Sequence, residues 1–471
     1  MDSDWASGVD LLVGLDRTNG LRDGIEHALR EAMRDGRLVL GAVLPSSRAL
    51  AGDLGVARGT VSAAYAQLAA EGYLDIRQGA PVRVSWLPQR RPPLPSPQRQ
   101  PVPRWDFRPG RPDSASFPRY AWAKAHRQVM ARAPDEIFGY GDPAGNAELR
   151  RVLADYLGRA RGVDTDPARL LICNGFTQAL TLTCLVLRAA GTTTLAVEDP
   201  GTPRYRSIAE AAGLSVVPVP CDQQGLQADY LARTGARAVL VTPAHQYPLG
   251  LTMSAARRTA LVEWARRHQA LIIEDDYDGE FRYDRQPIGA LQYLDPEHVI
   301  YIGTASKTLA PGLRLGWLSA PGALHESFAM AKDRLDRGTS ALEQHTFAEF
   351  IASGSFDRHI RRMRTVYHRR RDDLEQAIAG KRPDLRLAGI SAGMHTLIYL
   401  PSHGPSEHQM RSRAARQSIA LHTLGRYWHN PPPPGSQAII VGYGTPAAHA
   451  YQPALNALTR LLAQVSPVGR T

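Results

Sequence analysis

The sequence predicts a multidomain chain: a small, mainly helical head of the winged helix-turn-helix kind, a large α/β domain on an open sheet, and a smaller C-terminal α/β subdomain. Three observations carry this. At 471 residues the chain outgrows a single hydrophobic core, which stops enlarging at about 250–300 residues. From Trp105 onward, short β-branched runs alternate with stretches of helical period, the pattern of a mostly parallel sheet covered on both faces. Between them, residues 86–105 are rich in proline and arginine and have no apolar period. The expected divisions are 1–85 for the head, 86–105 for a linker, 106–371 for the large domain and 372–471 for the small one.

Composition narrows the class. Hydrophobic residues at 43% and charged residues at 21% are ordinary for a globular protein and exclude a disordered or fibrous chain. The three cysteines, Cys173, Cys184 and Cys221, form no CxxC pair and no disulfide framework, so a reducing cytoplasm is the expected compartment. The start, MDSDWASGVDLLVGLD, is acidic and lacks the basic and long apolar regions of a secretion signal. No stretch approaches the roughly 18 apolar residues of a membrane span. The net charge of +11 suits an anionic partner, and equally a solvated basic surface.

The head can be followed residue by residue. Leu21–Arg34 sets Ile25, Leu29 and Met33 on one helical face. Pro45 with Ser46 or Ser47 opens a short helix, Arg48–Leu54, and Gly55 ends it. A second helix of the motif, Arg58–Glu71, turns Val61, Tyr65 and Leu68 inward and closes at Gly72. Leu74–Ile76 and Val82–Val84 make a hairpin around Gln78-Gly79-Ala80-Pro81. In such a motif the second helix enters the major groove. Arg58, Gly59, Thr60 and Ser62 start that helix: arginine reads guanine edges, and threonine meets a phosphate or a thymine methyl. Ser47 and Arg48 are placed for phosphate, and Arg77, Gly79 and Arg83 belong to the wing. Double-stranded DNA is the expected partner; a helical bundle that binds protein is the competing reading.

PSSRALAGDLGVARGTVSAAYAQLAAEGYL resembles the DNA-binding module of GntR-type bacterial transcription regulators. The resemblance implies that Arg48, Arg58, Gly59, Thr60 and Gly79 meet DNA. The wing, RQGAPVR, departs from the usual G-S-G-T. Beyond it, WLPQRRPPLPSPQRQPVPR should form a semi-rigid polyproline spacer of about 3.1 Å per residue.

In the α/β region the strands are Leu170–Ile172, Thr194–Val197, Val216-Val217, Ala238–Val241, Leu271–Ile273 and Val299–Ile302, with helices such as Gln178–Ala189 and Ala255–His268 between them. Ligands on such sheets bind at the carboxyl ends of strands, where this chain concentrates its chemistry. Cys173-Asn174-Gly175-Phe176-Thr177-Gln178 opens a helix, so its backbone N–H groups and the Thr177 hydroxyl can cradle a phosphate. Glu198-Asp199-Pro200-Gly201 ends the next strand, with Arg204 and Arg206 behind it. Thr242-Pro243-Ala244-His245 brings an imidazole to the same rim. Glu274-Asp275-Asp276-Tyr277 sets carboxylates and a phenol where a buried strand stops, a costly arrangement unless they meet a cation, a metal or a protonated ring nitrogen. Lys307 follows the last strand in YIGTASKTLAPGLRLGW, with Thr304, Ser306 and Arg314 nearby. A partly buried lysine there is a candidate Schiff-base nucleophile, with a plain loop lysine as the competing reading, and a guanidinium suits a phosphate.

An amine for an imine, a carboxylate for a ring nitrogen, a phenol for a ring hydroxyl, and amides with arginine for a phosphate describe pyridoxal 5′-phosphate chemistry. The chain resembles fold-type I aminotransferases over roughly Asp106–Leu462 and, within them, the MocR subfamily, where such a domain follows a GntR-type module. The resemblance implies that Lys307 forms the internal aldimine, that Asp275 pairs with the pyridine nitrogen and that Tyr277 meets the ring O3′. Gly175, Thr177, Thr304, Ser306 and Arg314 would hold the phosphate, with Tyr140 reaching it across a homodimer. His245, in TPAHQYPLG, takes the place where most aminotransferases carry asparagine. Two departures stand out. Thr202 replaces the usual ring-stacking aromatic, leaving Phe176 as the alternative, and the late strand Ala438–Val441 lacks the usual substrate-clamping arginine. Arg426 and Arg204 are the candidate effector clamps.

The remainder is less informative. Thr339–Arg371 reads as long helices, and the run Arg358, Arg361, Arg362, Arg364, Arg369, Arg370, Arg371 reads as a solvated or interface face ahead of a DNA contact. No internal repeat and no metal-spaced Cys/His cluster stand out. The expected function is a transcription regulator that senses pyridoxal phosphate or a small amino compound and acts at an operator near its own gene or genes of vitamin B6 or amino-acid metabolism. The rivals are a working aminotransferase with a DNA-binding head and a passive DNA-binding scaffold.

Overall fold

A computed structural model describes residues 20–86, 102–283, 288–385 and 387–464. They fall into two units, Met1–Gln100 and Pro101–Thr471. Most of the proline-rich spacer, residues 87–101, lies outside the described residues.

In the first unit, α1 (Leu21–Arg34), α2 (Ser47–Leu54) and α3 (Arg58–Ala70) precede a hairpin of β1 (Leu74–Asp75) and β2 (Arg83–Val84). Ser46, rather than Ser47, caps α2: its Oγ accepts from Ala49 N–H at 3.2 Å, one helical turn on. Gly55 ends α2 in the left-handed region at φ 63°, where a Cβ is strained. Ile25, Leu29, Met33, Val61, Tyr65, Leu68, Leu74 and Val84 share one core. The Tyr65 hydroxyl donates to the Pro45 carbonyl at 2.9 Å, tying the turn before α2 to the middle of α3.

The second unit is built on an eight-stranded sheet of order β4-β11-β10-β9-β8-β5-β6-β7. Its strands are β4 (Leu170–Cys173), β5 (Thr194–Asp199), β6 (Ser215–Asp222), β7 (Gly225–Leu226), β8 (Ala238–Val241), β9 (Leu271–Asp276), β10 (Val299–Thr304) and β11 (Gly316–Ser319). β5, β6, β8, β9 and β10 run parallel. β11 lies antiparallel between β10 and β4, and β7 is a short antiparallel edge, so the sheet is mixed. Sequence reading missed β11, because Leu315–Ser319 looks like a continuation of the loop that carries Lys307. Both faces are covered: Ile300 and Ile302 pack with Leu180 and Leu187, while Tyr301 between them packs with Leu153 and Phe347.

The smaller sheet, of order β12-β13-β16-β15, comprises Leu387–Ala388, His395–Tyr399, Ala438–Gly442 and His422–Thr423 in that order. Two details differ from the expected divisions. Trp105–Asp106 (β3), at the end of the supposed linker, pairs in parallel with Ile419–Ala420 (β14), and Phe107 is buried in the small core. The helix Ser355–Lys381 crosses residue 371: Phe356 and Ile360 pack in the large core, Leu374 and Ile378 in the small one. The arginine run on this helix divides too. Arg370 is buried against Asp113 at 2.8 Å, and Arg371 is also buried, whereas Arg358, Arg361, Arg362 and Arg369 are exposed.

Candidate functional site

Lys307 stands where β10 ends. The Thr304 hydroxyl oxygen accepts Ser306 N–H at 3.1 Å and starts the one-turn helix Ala305–Thr308 that carries the lysine. Lys307 Nζ donates to the Gly110 carbonyl at 2.6 Å. Burial lowers the pKa of this amine, against the nearby Asp275 and Asp278 carboxylates, which raise it. The amine, Ser306, Thr304, Tyr277, Thr177 and Arg314 all border one cavity of ≈ 300 Å³ at the ends of the parallel strands.

Asp275, at the end of β9, is 1% exposed. Its Oδ2 accepts from the Tyr205 hydroxyl at 2.7 Å, and its Oδ1 has no partner. Burial pushes this carboxyl well above the usual range, and the Tyr205 hydrogen bond opposes that shift. Tyr205 also lines the cavity and packs against Phe176, with ring centroids 4.8 Å apart. Sequence reasoning missed Tyr205. Thr202, three residues earlier, does sit on the wall, and Phe176 and Tyr205 supply the aromatic surface there.

His245, the residue at the usual asparagine position, is one layer back from the cavity and reaches it through Tyr277. It is 3% exposed and lies behind Tyr277, while Tyr247, two residues on, lines the cavity. Its Nδ1 is 2.9 Å from Asp278 Oδ2 and 3.0 Å from the Tyr277 oxygen. An Nδ1–H donated to the Asp278 carboxylate satisfies that pair and leaves the Tyr277 hydroxyl proton free for another acceptor. Gly393 seals the group: a Cβ there would meet the His245 ring at 2.2 Å. His395 joins the cluster, its ligand-type atoms and those of His245 and Asp278 all within 4.8 Å of one another. Its Nε2 is engaged by the Pro248 carbonyl at 3.1 Å, and burial pushes its pKa down to about 3.

The anion corner forms around Gly175, which has φ 78° and opens the helix Phe176–Ala189. The Arg314 guanidinium donates to the neighbouring Asn174 carbonyl, and a Cβ on Gly175 would stand 3.2 Å from it. Arg204 reaches over the same corner, 3.5 Å from the Thr177 hydroxyl. Tyr140 is elsewhere. It is 86% exposed, beneath Arg337, and borders a different hollow. Arg426 is exposed over the Tyr427 ring, whose hydroxyl meets that of the cavity-lining Tyr247 at 2.9 Å.

In the head, Arg48, Arg58, Gly59 and Ser62 are exposed at the starts of α2 and α3, with Ser47 and Thr60 half-buried. Arg58 Nε approaches the Ser47 hydroxyl at 3.4 Å, which brings the two helix starts together. Gly79 turns the wing at φ 79°. Arg77 is paired with Asp75 at 2.9 Å, and Arg83 donates to the Gly41 carbonyl at 3.1 Å.

Comparison with known proteins agrees with both halves. Residues 21–84 match the family model described as bacterial regulatory proteins, gntR family, and residues 111–423 match aminotransferase class I and II. The chain is 33% identical to the HTH-type pyridoxine biosynthesis transcriptional regulator PdxR of Corynebacterium glutamicum, over 88% of this chain and 90% of that one. It is also 33% identical to the probable rhizopine catabolism regulatory protein MocR of Rhizobium meliloti, over 88% of both. The chain is a MocR-type member of the GntR regulators. Among solved structures, an archaeal alanine:glyoxylate aminotransferase superposes with a TM-score of 0.69 at 26% identity, covering 77% of this MocR-type chain and 91% of that one. Among the described residues no helix is long and apolar enough to cross a membrane.

The aminotransferase family implies pyridoxal 5′-phosphate, and the residues of this MocR-type chain fit it. A buried carboxylate oxygen without a partner suits a protonated ring nitrogen. An amine of lowered pKa suits an aldehyde, and Thr177, Ser306 and Arg314 at a glycine turn suit a phosphate.

Proposed function

We propose that this chain is a DNA-binding transcription regulator that takes pyridoxal 5′-phosphate at the Lys307 cavity and changes its hold on an operator in response. The observation that carries it is one cavity gathering Lys307, Tyr277, Thr304, Ser306 and Arg314, backed by Asp275, in a chain that begins with a gntR-family region. When bound, the cofactor supplies an aldehyde and an electron-withdrawing ring. Lys307, whose pKa burial lowers, would be the nucleophile toward the aldehyde carbon. Asp275 would hold a proton on the ring nitrogen through its unpartnered oxygen, with Tyr205 fixing its other oxygen. Tyr277 would donate a hydrogen bond from its hydroxyl to the ring oxygen, with His245 orienting it from behind. Gly175, Thr177, Ser306 and Arg314 bind the phosphate. Arg204 and Arg426 are the groups that would meet an effector carboxylate.

Double-stranded DNA near the chain's own gene, or near genes of vitamin B6 or amino-acid metabolism, is the proposed target, and the effector is pyridoxal phosphate itself or a small amino compound. The active form is proposed to be a homodimer in which the exposed Tyr140 reaches the partner's site. Such a switch is only as strong as its differential affinity for the two states. The decisive experiment titrates DNA from upstream of the chain's own gene with and without pyridoxal phosphate, alongside Lys307→Ala. The expected result is a cofactor-dependent affinity that the variant lacks. Indifference of both proteins to the cofactor would sink the sensor reading. A working aminotransferase is the second reading, favoured by the convergence of Lys307, Asp275 and Tyr277, and steady conversion of an amino acid to its keto acid at ordinary enzyme rates would select it.

A further inference from the structure

We infer that residues 104–111 form a strap that carries the state of Lys307 to the chain leading back to the head, an inference that rests on the cofactor reading above. This strap is the first segment of the α/β unit after the proline-rich stretch, and it is stitched along the small subdomain. Arg104 N–H donates to the Ser418 hydroxyl and Trp105 N–H to the Ser418 carbonyl, both at 3.0 Å. Phe107 N–H donates to the Ala420 carbonyl, and Gly442 N–H to the Phe107 carbonyl, both at 2.7 Å. Two glycines let the strap lie this close. A Cβ on Gly442 would stand 2.6 Å from the Arg108 carbonyl oxygen, and one on Gly444 would stand 2.4 Å from that of Arg111.

The far end of the strap hangs on the lysine. Pro109 and Gly110 border the cavity, Gly110 turns there at φ 72°, and its carbonyl takes the 2.6 Å hydrogen bond from Lys307 Nζ. As a free amine Lys307 has N–H to give. When its nitrogen bonds to an aldehyde carbon, the carbonyl oxygen leaves as water with two hydrogens, and the nitrogen keeps at most one, directed by the new double bond. The Gly110 carbonyl then loses its donor. A carbonyl that gives up a 2.6 Å hydrogen bond from an amine is less well satisfied, so the Pro109–Gly110 turn re-seats and pulls on the backbone that runs through Phe107 to Arg104. An amine that displaces Lys307 from the aldehyde restores the donor and reverses the pull. The strap thus reports whether the lysine is free or bonded, and it does so on the segment covalently nearest the spacer.

The test uses the full chain. Hydrogen exchange at the Trp105, Phe107 and Gly442 amides is followed with and without pyridoxal phosphate, in wild type and in Lys307→Ala. Exchange at Phe107 should change several-fold on loading in wild type and not in the variant; unchanged exchange in a wild type that shows the borohydride-reducible chromophore overturns the strap. In parallel, Gly442→Ala and Gly444→Ala, which do not line the cavity, are titrated with operator DNA. They should keep the chromophore while a cofactor effect on DNA affinity on the order of tenfold falls below about twofold. If wild type and glycine variants respond to the cofactor alike, the strap alone is overturned. If wild type binds the cofactor without any change in DNA affinity, the sensor reading falls and the relay with it. Should both glycine variants misfold, the wild-type exchange result decides.

Discussion

The Tyr205 hydroxyl donates to Asp275 Oδ2 at 2.7 Å, while Asp275 Oδ1 is buried without a partner. One oxygen of the carboxylate is thus fixed by the protein and the other is left for a ligand. Tyr205→Phe removes only the donor and keeps the ring against Phe176. Leaving a buried acceptor unpaired costs about 1–3 kcal/mol, so pyridoxal phosphate should bind on the order of tenfold more weakly, read by absorbance titration. An unchanged affinity would mean that Tyr205 does not hold the carboxylate in place.

Gly175 separates recognition of the phosphate from recognition of the ring. With φ 78° and a Cβ position 3.2 Å from Arg314, Gly175→Val both strains the turn and pushes the guanidinium aside. Charge-assisted hydrogen bonds are worth about 1.5–3 kcal/mol, so affinity for pyridoxal phosphate should fall by at least tenfold. Affinity for pyridoxal, which lacks the phosphate, should hardly change. Equal losses for both ligands would place the phosphate elsewhere.

Glu198 gives a pH signature. It is 5% exposed, its Oε2 accepts from the Thr242 hydroxyl at 2.5 Å and its Oε1 is unpartnered. Burial pushes its carboxyl up to about 7. Between its unfolded value near 4.5 and about 7, the folded state holds more protons than the unfolded one. The stability from this group is therefore complete below that window and is lost as pH rises through it. Glu198→Gln, which cannot ionise, should gain stability relative to wild type as pH goes from 5 to 8, by up to roughly 3 kcal/mol. Denaturant midpoints at the two pH values test this. A constant difference would show that Glu198 is ionised throughout.

Two arginines of the head should separate base reading from phosphate anchoring. Arg58→Ala, at the start of α3, should cost about 1–3 kcal/mol and relax preference at one guanine position. Arg48→Ala, at α2, should weaken binding evenly across sequences and lower the salt dependence by about one counterion. Quantitative titration on operator variants at several salt concentrations resolves the two. Identical profiles would remove the assignment of distinct roles.

Much of the site was legible because its residues act where they stand in the chain. Asp275 and Thr304 lie at the ends of buried strands and Lys307 and Thr177 come just after them, and parallel strands end on one rim. Tyr205 was not legible: an aromatic on a helix reads as core, and its partner is 70 residues away. His245 also follows a strand, yet the close approach of Gly393 holds its ring behind Tyr277. β11 was hidden for a similar reason, since Gly316–Ser319 becomes a strand only by pairing with β4 and β10.

By itself the sequence determined the helical head, the alternation that builds the sheet, and the amine, carboxylate and phenol of the site, because capping, side-chain period and strand-end position are properties of neighbouring residues. Only the tertiary structure decided which carboxylate oxygen stays free, that Tyr205 and Tyr247 form the wall, and that the Gly110 carbonyl waits on Lys307. Those relations join segments far apart in the chain, and they exist only once packing has brought their backbones within hydrogen-bond reach.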